Sequence, residues 1–390
     1  MQAETRERLA RFFLDDESRI RQEQIRINEI PSPTGHEVAK AAWIGQRLRA
    51  LGLLDVTVDE VSNVYGVAAG GGESPTLVLC AHLDTAFTPG TSFRGREEGE
   101  RLVGAGVGDN SGGVAALLAL AEALRALGLA PRGRLVFFFP VGEEGRGNLL
   151  GTRHFFAHSP FANGIDGFIA VDHGSPNVVH CGVGSRRWEI VVEGPGGHSW
   201  GDFGRVNPIN VLAGAIADWN DIDLSGEPRR MDCVGVISGG TTVNAVPKEA
   251  RLELDLRCTE MEALLGLERE VMVRLESAVR RHNLLRQPAD SPPARLTATM
   301  IGERPTGKTP VDHPLVVAAL SALRELGYQP TCCYSSTDAN VPMSLGVPAV
   351  ALWRGGRGGM VHTPEEWFEP VDRDKALLAL TQVVDAVVGL

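Results

Sequence analysis

Short apolar runs alternate with longer amphipathic stretches through the first half of the chain. TLVLCAHLD, RLVFFFP and DGFIAVDHG each read as a strand without a polar face, the pattern of a sheet covered on both sides. Between them, GVAALLALAEALRALG reads as a strong buried helix and GNLLGTRHFFAH as a shorter one. Upstream, residues from about Glu17 to Glu29 read as a helix. IPSPTGHE interrupts the pattern with two prolines and a glycine. VAKAAWIGQRLRALG then reads as an amphipathic helix with glycine near its end, and DVTVDEVSNVYGVAAG alternates like paired strands.

The texture changes near Gly184. RRWEIVVEG, MDCVGVISGG, ARLELDLRC and ARLTATMIG read as alternating strands, with helices over NPINVLAGAIADWN and MEALLGLEREVMVRLESAVRRHN. The order βαββαβ, with its clean alternation, predicts a small α+β domain with one sheet face exposed. From about Gly302 the α/β texture resumes in LVVAALSALRELG, VPAVALW and DKALLALTQVVDAVVG. The expected architecture is an α/β domain of residues 1–184 and 302–390, a mixed sheet flanked by helices. An α+β domain of residues 185–301 is inserted into it. No internal repeat is visible.

Composition narrows the function more than the fold. At 390 residues, 43% hydrophobic and 22% charged, the chain has the makeup of a globular protein of two ordinary domains. A net charge of −11 argues against a nucleic-acid or anionic-membrane surface. No apolar run is long enough to span a bilayer. The opening residues are charged and lack the apolar core of a secretion signal, so the expected compartment is the cytoplasm. Six cysteines are scattered without a CxxC pair, which fits free thiols better than a disulfide frame or a thiolate metal site.

The chemistry gathers at the ends of the apolar strands. LVLCAHLD delivers His82 and Asp84, VFFFPVGEE delivers Glu143 and Glu144, and FIAVDH delivers Asp172 beside His173. Asp109 precedes the buried helix, and His362 lies in the last glycine-rich segment. In open α/β sheets, sites form at the carboxyl ends of the strands. A single histidine in such a place is usually structural; the recurrence is what points to a site. There is no GxGxxG, GxSxG or HExxH motif. What remains is a set of carboxylates and two imidazoles, a mixture that suits zinc, cobalt or manganese.

Eight short motifs, IPSPTGHE, LCAHLDT, GVGDNSGGVAALL, GEEGRGNLLGT, PGGHS, VNAVP, STDAN and GRGGMVHTPEEW, occur in this order. Together they resemble the zinc-dependent M20 metallopeptidases and their amidohydrolase relatives across almost the whole chain. The resemblance implies two divalent metal ions, most readily zinc. His82 and Asp172 would hold one, Glu144 and His362 the other, and Asp109 would bridge them. It implies Asp84 as the carboxylate that orients the ligand imidazole and Glu143 as the general base. In the inserted domain it implies His198 as a group reaching the substrate carbonyl across a homodimer made by that domain, and Asn244 and Arg257 as substrate contacts. The implied substrate is a small peptide or an N-acyl amino acid. Aspartate at 172 and the STDAN segment resemble the tripeptide-aminopeptidase branch. Trp200 and Trp353, close to site motifs, are expected to shape the pocket. A catalytically silent binding protein is the contrasting reading, against which every expected ligand and Glu143 are present.

Overall fold

The computed structural model describes residues 1–390, which divide into two compact units: Met1–Gly182 with Gly307–Leu390, and Val183–Thr306.

In the first unit a nine-stranded mixed sheet runs in the order Leu54–Val58, Val64–Val67, Arg134–Phe139, Thr76–Cys80, Gly167–His173, Ala349–Trp353, Val178–Gly182 and Gly307–Lys308, with Cys332–Ser335 also paired to 178–182. The centre is parallel: 76–80 lies between 134–139 and 167–173, and 349–353 continues beside 167–173. Successive side chains leave opposite faces of a strand, so an all-apolar strand feeds two cores. Leu77, Leu79, Phe137, Phe139, Ile169 and Val171 join one core, while Val78, Cys80, Val136, Phe138, Phe168 and Ala170 join the other.

The first of these cores includes the helix Ser111–Leu127, which is buried along nearly its whole length. Its start is set by Asn110, whose side chain accepts from the Gly113 N–H, and its end by Gly128 in the left-handed region at φ 65°. The same Asn110 donates from Nδ2 to the Val171 carbonyl at 3.1 Å, tying the helix start to the strand that carries Asp172.

Two features were not expected from the pattern. Ala3–Asp15 is a helix that buries Leu9 and Phe13, one turn apart, under a strongly charged exterior. A four-stranded antiparallel sheet of three-residue strands, 357–359, 367–369, 101–103 and 96–98, joins the segments around Asp109 and His362. Strands this short carry no readable periodicity.

The second unit has the order βαββαβ. Its antiparallel sheet runs Arg230–Gly239, Glu249–Cys258, Gly184–Glu193, Arg295–Arg304, and the helices Pro208–Trp219 and Met261–Leu285 pack with it. Ile190, Val192, Leu252, Leu254 and Leu256 form its core with Val211, Leu212, Leu267 and Val271. The last strand continues to Arg304 because Gly302, Glu303 and Arg304 still pair with Arg187, Arg186 and Ser185.

Candidate metal centre

The parallel strands at the centre of the large sheet bring their carboxyl ends to one edge, and the candidate residues meet there. His82 and Asp84 follow strand 76–80, Glu143 and Glu144 follow 134–139, and Asp172 lies near the end of 167–173. Asp109 stands just before the helix 111–127. His362 lies on the turn between strands 357–359 and 367–369, with a backbone φ of 65°.

Asp109 faces both imidazoles, one oxygen to each. Its Oδ1 is 3.2 Å from His82 Nε2, and its Oδ2 is 3.4 Å from His362 Nε2. Asp172 Oδ1 lies 3.8 Å from His82 Nε2, and Glu144 Oε1 lies 3.0 Å from His362 Nε2. Two groups of potential ligands result, His82 with Asp109 and Asp172, and Asp109 with Glu144 and His362. Within each group the ligand atoms lie within 4.8 Å of one another. A third group, His82 with Glu143 and Glu144, meets the same limit and brings the Glu143 carboxylate to the same place.

The electrostatics favour positive charge at two points. Burial alone would lower the His82 imidazole, but Asp109, Asp172 and Asp84 outweigh it and raise it well above its ordinary value. Asp109 and Glu144 hold the His362 imidazole up at about 10. Asp109 is driven the other way: burial would raise it, yet the two imidazoles and Arg354 bring it below the usual carboxylate range. Each imidazole Nε2 thus sits where a proton or a metal ion is strongly favoured. Imidazole with carboxylate in two groups that share one aspartate is a donor set that fits a pair of divalent ions.

Asp84 has more partners than the sequence suggests. Its carbonyl, at 3.0 Å, is the hydrogen-bonding partner of His82 Nδ1, and its Oδ1 is 3.6 Å from the same atom. The imidazole therefore donates Nδ1–H to the main chain and turns Nε2 toward the acids. The carboxylate accepts the backbone N–H groups of Glu143 at 2.8 Å and Glu144 at 2.9 Å, and the Thr34 hydroxyl at 2.9 Å. Glu37 accepts the N–H of Gly35 at 2.9 Å and of Gly142 at 3.2 Å. The segment IPSPTGHE thus braces the turn that presents the two glutamates without contributing a ligand.

Three further groups escaped the sequence reading. Glu366, 1% exposed, accepts the N–H groups of Gly106 at 2.9 Å, Gly108 at 2.9 Å and Asp109 at 2.8 Å. Buried Arg354 donates to the Asp172 carbonyl at 3.3 Å and lies 3.7 Å from its Oδ1. Buried Asp338 accepts the Thr152 hydroxyl at 2.6 Å, and burial raises its carboxyl to about 6. Asp338 and Glu366 lay within quoted motifs, STDAN and GRGGMVHTPEEW, but neither motif marked them as supports.

Trp353 does not shape a pocket. It belongs to the main core, donates Nε1–H to the Gly356 carbonyl at 2.8 Å and meets Tyr328 edge-on at 5.4 Å between ring centres. Its strand position buries it, which proximity to a motif did not reveal.

In the second unit, His198 and Asn244 come together. His198 pairs with Ala245 across a short ladder, and the Ser199 N–H donates to the Asn244 carbonyl at 3.0 Å. His198 Nδ1 accepts the N–H groups of Trp200 at 3.2 Å and Gly201 at 3.3 Å, so the proton of the neutral ring resides on Nε2. Trp200 and Phe203 stand exposed beside it. Arg257 lies apart, near the other end of strand 249–258, where its Nε donates to Asp255 Oδ2 at 2.8 Å.

Comparison with known proteins gives the family and the fold. The family model "Peptidase family M20/M25/M40" matches residues 78–389. The chain belongs to this family. Among curated proteins of the family, succinyl-diaminopimelate desuccinylase of Methylobacterium sp. (strain 4-46) is 27% identical over 384 residues, 91% of this chain and 93% of its own. The Methylocella silvestris protein of the same name is 28% identical over 291 residues, 64% of this chain and 69% of its own. Among solved structures, a tripeptidase from Staphylococcus aureus superposes with a TM-score of 0.77 at 21% identity, covering 96% of this chain and 98% of that one. A dinuclear metal-binding M20 peptidase from Bacillus subtilis superposes with a TM-score of 0.65 at 17% identity, covering 94% and 97%. This M20 chain is a hydrolase of the family's fold, with two residue groups suited to metal.

Proposed function

We propose that this chain is a dinuclear zinc hydrolase that cleaves an amide bond in a small peptide, in the manner of a tripeptide aminopeptidase. The observation that carries the reading is Asp109, whose two oxygens face two imidazoles while Glu143 stands in the same cluster. His82 and Asp172 would hold one ion and Glu144 and His362 the other, with Asp109 shared between the two groups; zinc, cobalt or manganese would suit these ligands. Two such ions, when bound, polarise the scissile carbonyl and make a water acidic near neutral pH.

The protein's own groups perform the rest. Glu143 accepts a proton from the attacking water on its carboxylate as the water oxygen bonds to the carbonyl carbon. As the C–N bond breaks, Glu143 returns the proton to the leaving nitrogen, so atoms and charge balance. Asp84 fixes the turn that aims Glu143. His198, reaching across the homodimer, would offer Nε2–H as a donor to the carbonyl oxygen, with Asn244 beside it as a further substrate contact. The likeness to the tripeptidase supports a peptide substrate. The match to the Methylobacterium desuccinylase over nine-tenths of the chain supports a second reading, removal of an acyl group from an N-acyl amino acid.

Assembly as a homodimer through the unit 183–306 is supported by its outer strand 230–239, which leaves Val236 and Ile237 exposed at the sheet edge. Six free cysteines support a reducing, cytoplasmic location.

A panel of dipeptides, tripeptides and N-acyl amino acids, assayed with zinc, cobalt and manganese, tests the reading. Turnover of a free-amino peptide that is abolished by chelator and restored by metal is the expected result. Turnover that resists removal of all metal overturns it, and preference for N-acyl amino acids selects the second reading.

A further inference from the structure

We infer that Glu366 is a positioning residue that presents Asp109 to both metal positions and locks the turn carrying His362 to it. The inference rests on the reading of Asp109 and His362 as ligands given above.

The two halves of the centre are supported differently. His82 and Asp172 sit at or just beyond the ends of central strands packed on both faces, so their backbone is fixed by the sheet. Asp109 and His362 lie on irregular segments, and nothing in the central sheet sets their separation. Glu366, four residues after His362, supplies that constraint. Its Oε1 accepts the Gly108 and Asp109 N–H groups and its Oε2 accepts that of Gly106. Its carbonyl accepts the Gly104 N–H at 2.8 Å, and its own N–H donates to the Thr363 carbonyl at 3.0 Å, closing the turn after His362. One buried residue therefore binds the N–H groups of Gly104, Gly106, Gly108 and Asp109 and anchors the other ligand's turn.

Gly108 shows how closely the parts fit. A Cβ there would lie 2.9 Å from Glu366 Oε1 and 3.4 Å from Arg354 Nη2. The clash is with a side chain held on several sides, so Gly108→Ala would push the carboxylate off the loop from the opposite direction. A glutamine at 366 keeps one oxygen but brings an N–H donor against a backbone N–H, which cannot pair. Glu366→Gln should thus be milder than Glu366→Ala.

The test is stepwise removal of zinc by a chelator from the zinc-loaded full-length protein, counting ions retained per chain. The wild type should hold two. In Glu366→Gln and Gly108→Ala the more weakly held ion should leave at least tenfold more readily, and Glu366→Ala should retain one. Val384→Ala, which trims a buried side chain of the helix Arg373–Val388, serves as a control for stability alone. Two ions held with wild-type affinity in all three variants overturn the inference. So does ion loss in Val384→Ala equal to theirs at matched loss of melting temperature. If the wild type itself fails to hold two ions, the ligand reading fails instead.

Discussion

The carboxylate of Asp84 accepts the backbone N–H of Glu143 at 2.8 Å, so an acid 3.6 Å from the imidazole of His82 also sets the peptide plane of the proposed base. Asp84 has three donors on two oxygens, counting Glu144 N–H and the Thr34 hydroxyl. Asn at this position must point its amide group at one of them and leave a buried N–H or hydroxyl without an acceptor. Asp84→Asn should therefore cost about 1–3 kcal/mol of stability and lower kcat by roughly 10- to 100-fold with little change in KM. Thr34→Val, which removes one donor, should cost about 1 kcal/mol. Denaturant unfolding and steady-state kinetics read both; an Asp84→Asn enzyme with wild-type kcat would remove the positioning role.

Glu143 and Glu144 are adjacent, buried and grouped with His82, and Glu144 is also in hydrogen-bonding contact with His362 at 3.0 Å. Their variants should separate. Glu143→Gln should keep both ions and lose about 10²- to 10⁴-fold in kcat, the span of general acid–base catalysis. Glu144→Ala should lose ion affinity first and activity as a consequence, with partial recovery at high metal. Metal analysis beside kinetics distinguishes them, and equal metal loss in both variants would end the division of roles.

His82, Glu144 and Asp172, as candidate ligands, were legible because each sits where a run of apolar residues stops. Residues 135–139 and 167–171 are apolar or glycine throughout, so Glu143, Glu144 and Asp172 mark the exit points in the sequence itself. The brace behind them was not legible. Glu366 and Glu37 are charged residues in polar-looking segments, and only tertiary packing buries them against backbone N–H groups. The helix 3–15 escaped because Leu9 and Phe13 are a narrow stripe among charges. The role of Asp84 toward the 143–144 turn links residues 59 and 60 positions apart, and no local pattern encodes such a pairing.

Ile237, 56% exposed, and Val236 lie on the outermost strand of the 183–306 sheet. An apolar edge strand left open is a template for pairing with another strand, and a second copy can meet it about a two-fold axis. Ile237→Asp places a charge in that seam. It should raise the dimer dissociation constant by at least tenfold, about 1.4 kcal/mol, without lowering the melting temperature of the monomer. Sedimentation velocity over a dilution series checks this. A wild type that is monomeric throughout, or a variant that dimerises as tightly, refutes the edge-pairing model.

Lys40, 2% exposed on helix Val38–Ala50, gives the fold a pH dependence of unusual sign. Burial pushes its ammonium group down to about 7, although Asp84 and Glu37 pull it upward. Unfolded, the same group titrates near its ordinary 10.5. Between those values the unfolded chain binds a proton that the folded chain has released, so this residue makes stability rise with pH. Below about 7 both states are protonated and the full burial cost is felt; above about 10.5 neither is, and the cost is gone. The slope from this one group approaches about 1.4 kcal/mol per pH unit in the middle of the window. Lys40→Met should flatten the curve of unfolding free energy against pH between about 7 and 9.5, measured on the metal-loaded protein. Parallel curves for the two proteins would mean that Lys40 keeps its proton in the folded state, paired with Asp84 or Glu37 strongly enough to cancel its burial.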